Sequence, residues 1–150
     1  MSCKREAKCN QCVGQTKAGT QCRRPTCKFG PYCFQHSPIE VKDAGSKGDG
    51  LFAKRDIKKN TTIGDYKQAE PLTQAQFDQR YPSGRATHVA KIGATYYDGK
   101  NPHCTIAAKA NSGRGRNNAK INRNGKLVTT KNVRKGQEIE VGYGSAYRLA

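Results

Sequence analysis

The apolar positions of this chain come in short runs, not in helical stripes. Leu51-Phe52-Ala53, Thr61 to Tyr66, Thr87 to Ile92, Ala94 to Tyr97, Ala119 to Arg123, Lys126 to Thr130 and Gln137 to Val141 are β-branched, aromatic or alternating, and each reads as a short strand. Gly93 separates two of these runs, and Asn124-Gly125 between two others is a hairpin signal. One segment differs. Thr73-Gln74-Ala75-Gln76 has capping-box spacing, which predicts a short helix to about Arg80, ended by Tyr81-Pro82. The pattern predicts a β-rich fold, mainly β with one short helix, without internal repeats or heptads.

The composition shifts near Ser37-Pro38. A Cys-rich module over 1–37 precedes the β-rich part, which runs over 41–149, with the boundary at about 37 to 42. Six of the seven cysteines lie in the first 33 residues. No apolar run is long enough to span a membrane, and the opening residues do not read as a signal peptide. Clustered cysteines beside a histidine then predict a metal site in a reducing compartment, cytosol or nucleus. Cys12, Cys22, Cys33 and His36 are the candidate ligands of a structural zinc, with Cys33-x-x-His36 as a two-ligand knuckle. Cys27 and Cys9 are further candidates, Cys3 is surplus, and a basic tail with free thiols is the alternative. So short a segment cannot bury a core, so bound metal would supply most of its folding free energy. His103-Cys104 has no partner pair nearby and is not read as a metal site.

Charge adds a partner. Lys and Arg number 28 against 11 acids, a net charge of +17, which predicts an acidic partner: nucleic acid, an acidic protein surface or the inside of a particle. From Lys109 to Lys135 there are nine basic residues and no acid, a tract suited to nucleic-acid phosphates. It lacks a recognition helix and has few aromatics, so it offers little base readout. A merely solvated basic face is the alternative.

"SKGDGLFAKRDIKKN" (Ser46 to Asn60) places Gly48 and Gly50 around Asp49. The run after Gly50 reads as a strand, so no helix N-terminus follows to bind a nucleotide phosphate. Two other stretches belong with it: "IAAKANSGRGRNNAKI" (Ile106 to Ile121) and "KGQEIEVGYGSAYRL" (Lys135 to Leu149).

In this order the three stretches resemble a SET domain of viral type, the β-clip fold of most protein-lysine methyltransferases. The Cys-rich segment, with Thr16-Lys17-Ala18-Gly19-Thr20-Gln21-Cys22 and Tyr32-Cys33-Phe34-Gln35-His36, resembles a small zinc-binding module frequent in large DNA viruses. The SET resemblance implies S-adenosylmethionine as cofactor, held by Gly48, Asp49, Gly50, Leu51, Asn111 and Ser112. It implies Tyr143 as the catalytic tyrosine and His88 and Tyr147 at the substrate pocket. Core or structural roles remain the alternatives for Tyr143, Tyr147 and His88, and a turn for Asn111. It further implies a protein substrate with a lysine, a histone tail above all, and a dimer as an open option. Localisation would be intracellular: the host nucleus or a virion.

The chain departs from the pattern in places. Ala108-Lys109-Ala110-Asn111 stands where the family has Arg-Phe-Ile-Asn, Ser112 replaces the usual His, and His88 falls at a pocket tyrosine. The sequence also ends without the cysteine cluster that closes the pocket in many relatives. Two readings follow: a methyltransferase acting on histone or histone-like protein, or a catalytically inactive SET fold used as a nucleic-acid-binding or virion component.

Overall fold

The computed structural model describes residues 11–24, 32–33, 35–84, 89–99, 105, 107–112 and 116–142. Among the described residues, ten strands and one α-helix follow in chain order: β1 (Ile39–Asp43), β2 (Asp49–Ala53), β3 (Thr62–Asp65), β4 (Glu70–Leu72), α1 (Gln74–Arg80), β5 (Val89–Ile92), β6 (Thr95–Asp98), β7 (Asn111–Ser112), β8 (Ala119–Ile121), β9 (Lys126–Thr129) and β10 (Glu138–Gly142). The large sheet has the order β1-β2-β10-β8-β9-β3, with β7 also on β10. The small sheet is β4-β6-β5. The β-rich expectation with one short helix holds.

The large sheet closes over one apolar cluster. Leu51, Ile63, Tyr66, Leu127, Ile139 and Val141 are all buried in it, drawn from four separate segments of the sequence. Helix α1 forms where the Thr-x-x-Gln pattern places it. The Thr73 hydroxyl accepts from the Gln76 amide, and the Gln76 side chain accepts from the Thr73 amide. The helix buries Phe77, which stacks on Tyr96 of β6 at 4.2 Å between ring centroids. Arg80 ties the helix end to the small sheet, donating to Glu70 at 2.8 Å and Asp98 at 3.1 Å. Glu70 and Asp98 face each other across β4 and β6, so the guanidinium bridges two buried carboxylates and offsets their mutual repulsion. Tyr81 donates to the same Asp98 at 2.6 Å; burial, then that carboxylate, pushes its phenol up to about 12.

The β8–β9 turn differs from a two-residue hairpin. Asn122 N–H donates to Lys126 O and Gly125 N–H to Asn122 O, so the loop holds Arg123, Asn124 and Gly125, with Gly125 at φ 83°. The Asn122 side chain accepts from Asn124 and Lys126 amides, which ends β8 at Ile121, short of the expected Arg123. Three strands lie beyond the hydrophobic pattern, the two-residue β7 among them. β1 occupies the stretch read as a junction, and β4 carries a proline on the edge of the small sheet.

β10 organises the large sheet. It pairs antiparallel with β2 (Ile139↔Leu51) and parallel with both β7 (Glu140↔Asn111) and β8 (Val141↔Ala119). Asn118, buried, fixes this arrangement: its Nδ2 donates to Glu138 O at 2.9 Å and its Oδ1 accepts from Glu140 N–H at 2.8 Å. Replacing it strands two backbone groups of the central strand. Asn118→Ala is expected to destabilise the protein by about 2–4 kcal/mol in urea unfolding. A loss below about 0.5 kcal/mol would contradict this role.

Candidate active site and metal centre

The glycine turn starts as a consequence of the β1–β2 hairpin. Ala44 N–H donates to Gly48 O at 2.7 Å and Gly48 N–H to Gly45 O at 3.1 Å, over a 3-10 turn at Gly45–Lys47. Gly48 has φ 78°, a conformation in which a side chain is strained, while a Cβ there would meet nothing within 4 Å. Gly50 is required for a different reason. A Cβ on it would lie 2.8 Å from Glu138 Oε2, 3.0 Å from Asn111 Nδ2 and 3.1 Å from Ala44 Cβ. Sequence reading gave both glycines one purpose, backbone approach to a cofactor. The structure shows a turn conformation at Gly48 and room for the chain's own polar side chains at Gly50.

Those side chains converge from three strands. Asn111 opens β7, Glu138 opens β10 and Asp49 opens β2. Asn111 Nδ2 donates to Glu138 Oε2 at 2.9 Å and to the Asp49 carbonyl at 3.2 Å. Both partners accept, so the amide nitrogen must face them and Oδ1 must face away. Among the described residues, no donor reaches that Oδ1. Lys109, from the 3-10 turn Ala107–Lys109, approaches Asp49 Oδ2 at 3.9 Å. The cluster therefore presents an acceptor, a carboxylate and an ammonium, the complement of an amino-acid zwitterion. By the chemistry of its donors and acceptors it fits the amino-acid end of S-adenosylmethionine.

The other sequence candidates divide. The Leu51 side chain is fully buried in the core, and its position pairs with Val41 on one edge and Ile139 on the other. Ser112 lies in β7 opposite Val141. Tyr143, Tyr147 and His88 lie outside the described residues, as do Cys9, Cys27, Cys3, His103 and Cys104. The described chain reaches Gly142, the neighbour of Tyr143. Two residues of this cluster were not singled out from sequence. Glu138 sits within the quoted stretch from Lys135 to Leu149, but its partner is 27 positions away. Lys109 figures in the sequence as a departure from the family pattern and as the start of the basic tract, not as a cofactor contact.

A second cluster lies in the N-terminal segment. The ligand atoms of Cys12, Cys22, Cys33 and His36 all lie within 4.8 Å of one another. Cys22 and Cys33 Sγ are 4.0 Å apart, and His36 Nδ1 lies 3.4 Å from Cys12 Sγ and 3.5 Å from Cys33 Sγ. A tetrahedron with Zn–S of about 2.3 Å has S···S edges of about 3.8 Å, so this donor set fits zinc. Backbone amides of Gly14 and Arg24 point at Cys12 and Cys22 Sγ at 3.3 and 3.5 Å, as they would at thiolates. Burial pushes the Cys12 thiol up. Burial acts the same way on Cys33, but backbone amides of His36 and Gln35 and the Cys12 and His36 side chains outweigh it and bring Cys33 down to about 7. Gly14 is needed here too, since a Cβ on it would overlap the His36 ring at 2.5 Å.

A family model described as the SET domain matches residues 48–144. No curated protein matches the chain.

The metal cluster generates its own test. Cys33→Ser in the full chain is expected to carry one zinc equivalent fewer than the parent by elemental analysis, because a three-ligand set binds far more weakly. Equal zinc content in the two proteins would remove Cys33 from the ligand set.

Proposed function

The chain belongs to the SET-domain family, whose model covers most of it, and from that premise we propose that it is an S-adenosylmethionine-dependent protein-lysine methyltransferase acting on a histone or histone-like protein. The observation that carries the reading is the meeting of Asp49, Asn111 and Glu138 where β2, β7 and β10 converge. Asn111 Oδ1 and the Glu138 carboxylate would take the ammonium of the cofactor's amino-acid end, and Lys109 its carboxylate. The cofactor supplies a methyl group on a positive sulfonium.

The chain's part is alignment and proton management. In-line displacement at a methyl carbon is governed by how well acceptor and donor are oriented. An acceptor lysine, with an ordinary pKa of about 10.4, must be neutral to attack, and an apolar channel beside a positive charge favours the neutral amine. We assign the hydroxyl of Tyr143 to hold the acceptor nitrogen, and His88 and Tyr147 to the substrate pocket. Gly48, Asp49, Gly50 and Ser112 are assigned to the cofactor side through their backbone. The module over 1–37 is read as a zinc-bound unit of the type found in large DNA viruses, and 41–149 as the catalytic domain. The Asn111 amide nitrogen is already bonded within the chain, which favours the second reading, an inactive fold, to the extent that the Glu138 carboxylate is not released to a ligand.

Two variants separate these readings. Asn111→Ala is expected to weaken S-adenosylmethionine binding about 10- to 100-fold, the cost of lost hydrogen bonds to charged groups. Tyr143→Phe is expected to retain cofactor affinity and to lose most methyl transfer to recombinant histones, read by transfer of labelled methyl. Unchanged transfer in Tyr143→Phe would refute its role, and unchanged affinity in Asn111→Ala would refute the cofactor assignment.

A further inference from the structure

Two basic turns more than 70 residues apart are locked together beside the large sheet. Ile57 and Val133 form an isolated antiparallel bridge, with Ile57 N–H donating to Val133 O at 2.7 Å and Val133 N–H to Ile57 O at 2.8 Å. Both side chains are buried. Their neighbours are knitted by side chains: Lys59 N–H donates to Asn132 Oδ1 at 2.9 Å and Lys135 N–H to Asp56 Oδ1 at 2.8 Å. The consequence is a rigid pad with Arg55, Lys58 and Lys59 on one turn and Lys131, Arg134 and Lys135 on the other, all exposed. Asp56 is the one acid in either turn, and an amide already holds it.

The pad sets six cations against one acid, a net charge of +5. Among the described residues, none of these six cations forms an ion pair. Arg55 donates to the His36 carbonyl at 2.6 Å, a neutral partner that fixes it without cancelling its charge. By contrast Lys109 and Lys126, within the basic tract read from sequence, approach Asp49 and Asp65 at 3.9 and 2.8 Å. The tract therefore splits, and its 131–135 end gains a second half that lies elsewhere in the sequence.

We propose that this pad docks the phosphate backbone of duplex DNA. A protein partner would want an apolar centre within the patch, and here the apolar residues of both turns point inward. Single strands want aromatic platforms, and the two turns contain none. Duplex RNA is read partly through its 2′-hydroxyls, yet the Asn132 and Asp56 acceptors are engaged internally. What is left is a rigid set of cations, which suits a regular ladder of phosphates and no particular sequence. The pad lies at the C-terminal end of β2 and the Asn111 cluster at its N-terminal end, so the two are about 13 Å apart along the strand.

The test uses the zinc-replete full chain and a labelled duplex of about 20 base pairs, with anisotropy followed across salt and no cofactor present, so the outcome is separate from the methyltransferase reading. Lys58→Gln/Lys59→Gln/Lys131→Gln is expected to bind at least about 10-fold more weakly near 0.1 M salt, with the log–log salt slope shallower by about 2–3. Arg116→Gln/Lys120→Gln/Arg123→Gln, which removes the same charge elsewhere, is expected to stay within about threefold of the parent. Acetylation of the parent protein should be slowed by the duplex at Lys58, Lys59, Lys131 and Lys135, a readout that needs no variant. Equal loss in the two triple variants, absence of that protection, or tighter binding to duplex RNA or polyglutamate than to DNA would each overturn the proposal.

Discussion

The pairing of β10 with three other strands is the constraint on which the rest of the large sheet depends. A strand has two edges, and β10 shares one between β2 and β7 and gives the other to β8. Strand and loop segments from opposite ends of the β-rich part therefore meet on one ribbon of backbone. Asn118 secures the ribbon from the side by bonding the main chain at Glu138 and Glu140. The position of Asn111 against Asp49 and Glu138 follows from the same pairing, because Asn111 is the residue that β10 holds opposite Glu140. The geometry of this cluster is a by-product of register.

The N-terminal module joins this frame through the chain itself. His36 is followed directly by Ser37, whose buried hydroxyl donates to Ile39 O, and by Pro38, whose carbonyl accepts from Lys54 N–H at 2.7 Å. β1 begins at once and pairs along its whole length with β2, ending at Asp43 opposite Asp49. Arg55 closes the junction by bonding the His36 carbonyl. The metal ligands and the glycine turn are thus at opposite ends of one hairpin.

Much of this was legible in the sequence, for identifiable reasons. Strands with alternating burial announced themselves, and the Thr73–Gln76 capping box located α1 because that motif is local chemistry. β1 was not legible because only Ile39 is buried, and Val41 stays 39% exposed. β4 was hidden by Glu70, whose burial is tolerable only because Arg80 arrives from α1. The spacing of Cys12, Cys22, Cys33 and His36 named a set that the structure brings together. Glu138, Lys109 and Gly14 were not legible as site residues, since each acquires its role from a partner distant in sequence. The basic pad was half-legible for the same reason: the sequence shows two basic turns, and only the Ile57–Val133 bridge makes them one surface.

The reading of this protein as an enzyme stands on Asp49, Asn111 and Glu138 holding a cofactor. Calorimetric titration of the zinc-replete full chain with S-adenosylmethionine tests it most directly. One-site binding at about micromolar strength, near −8 kcal/mol, is the expected result. No binding heat at several temperatures, in protein whose cooperative unfolding shows it to be folded, would contradict the claim and leave a SET fold kept for its shape and charge.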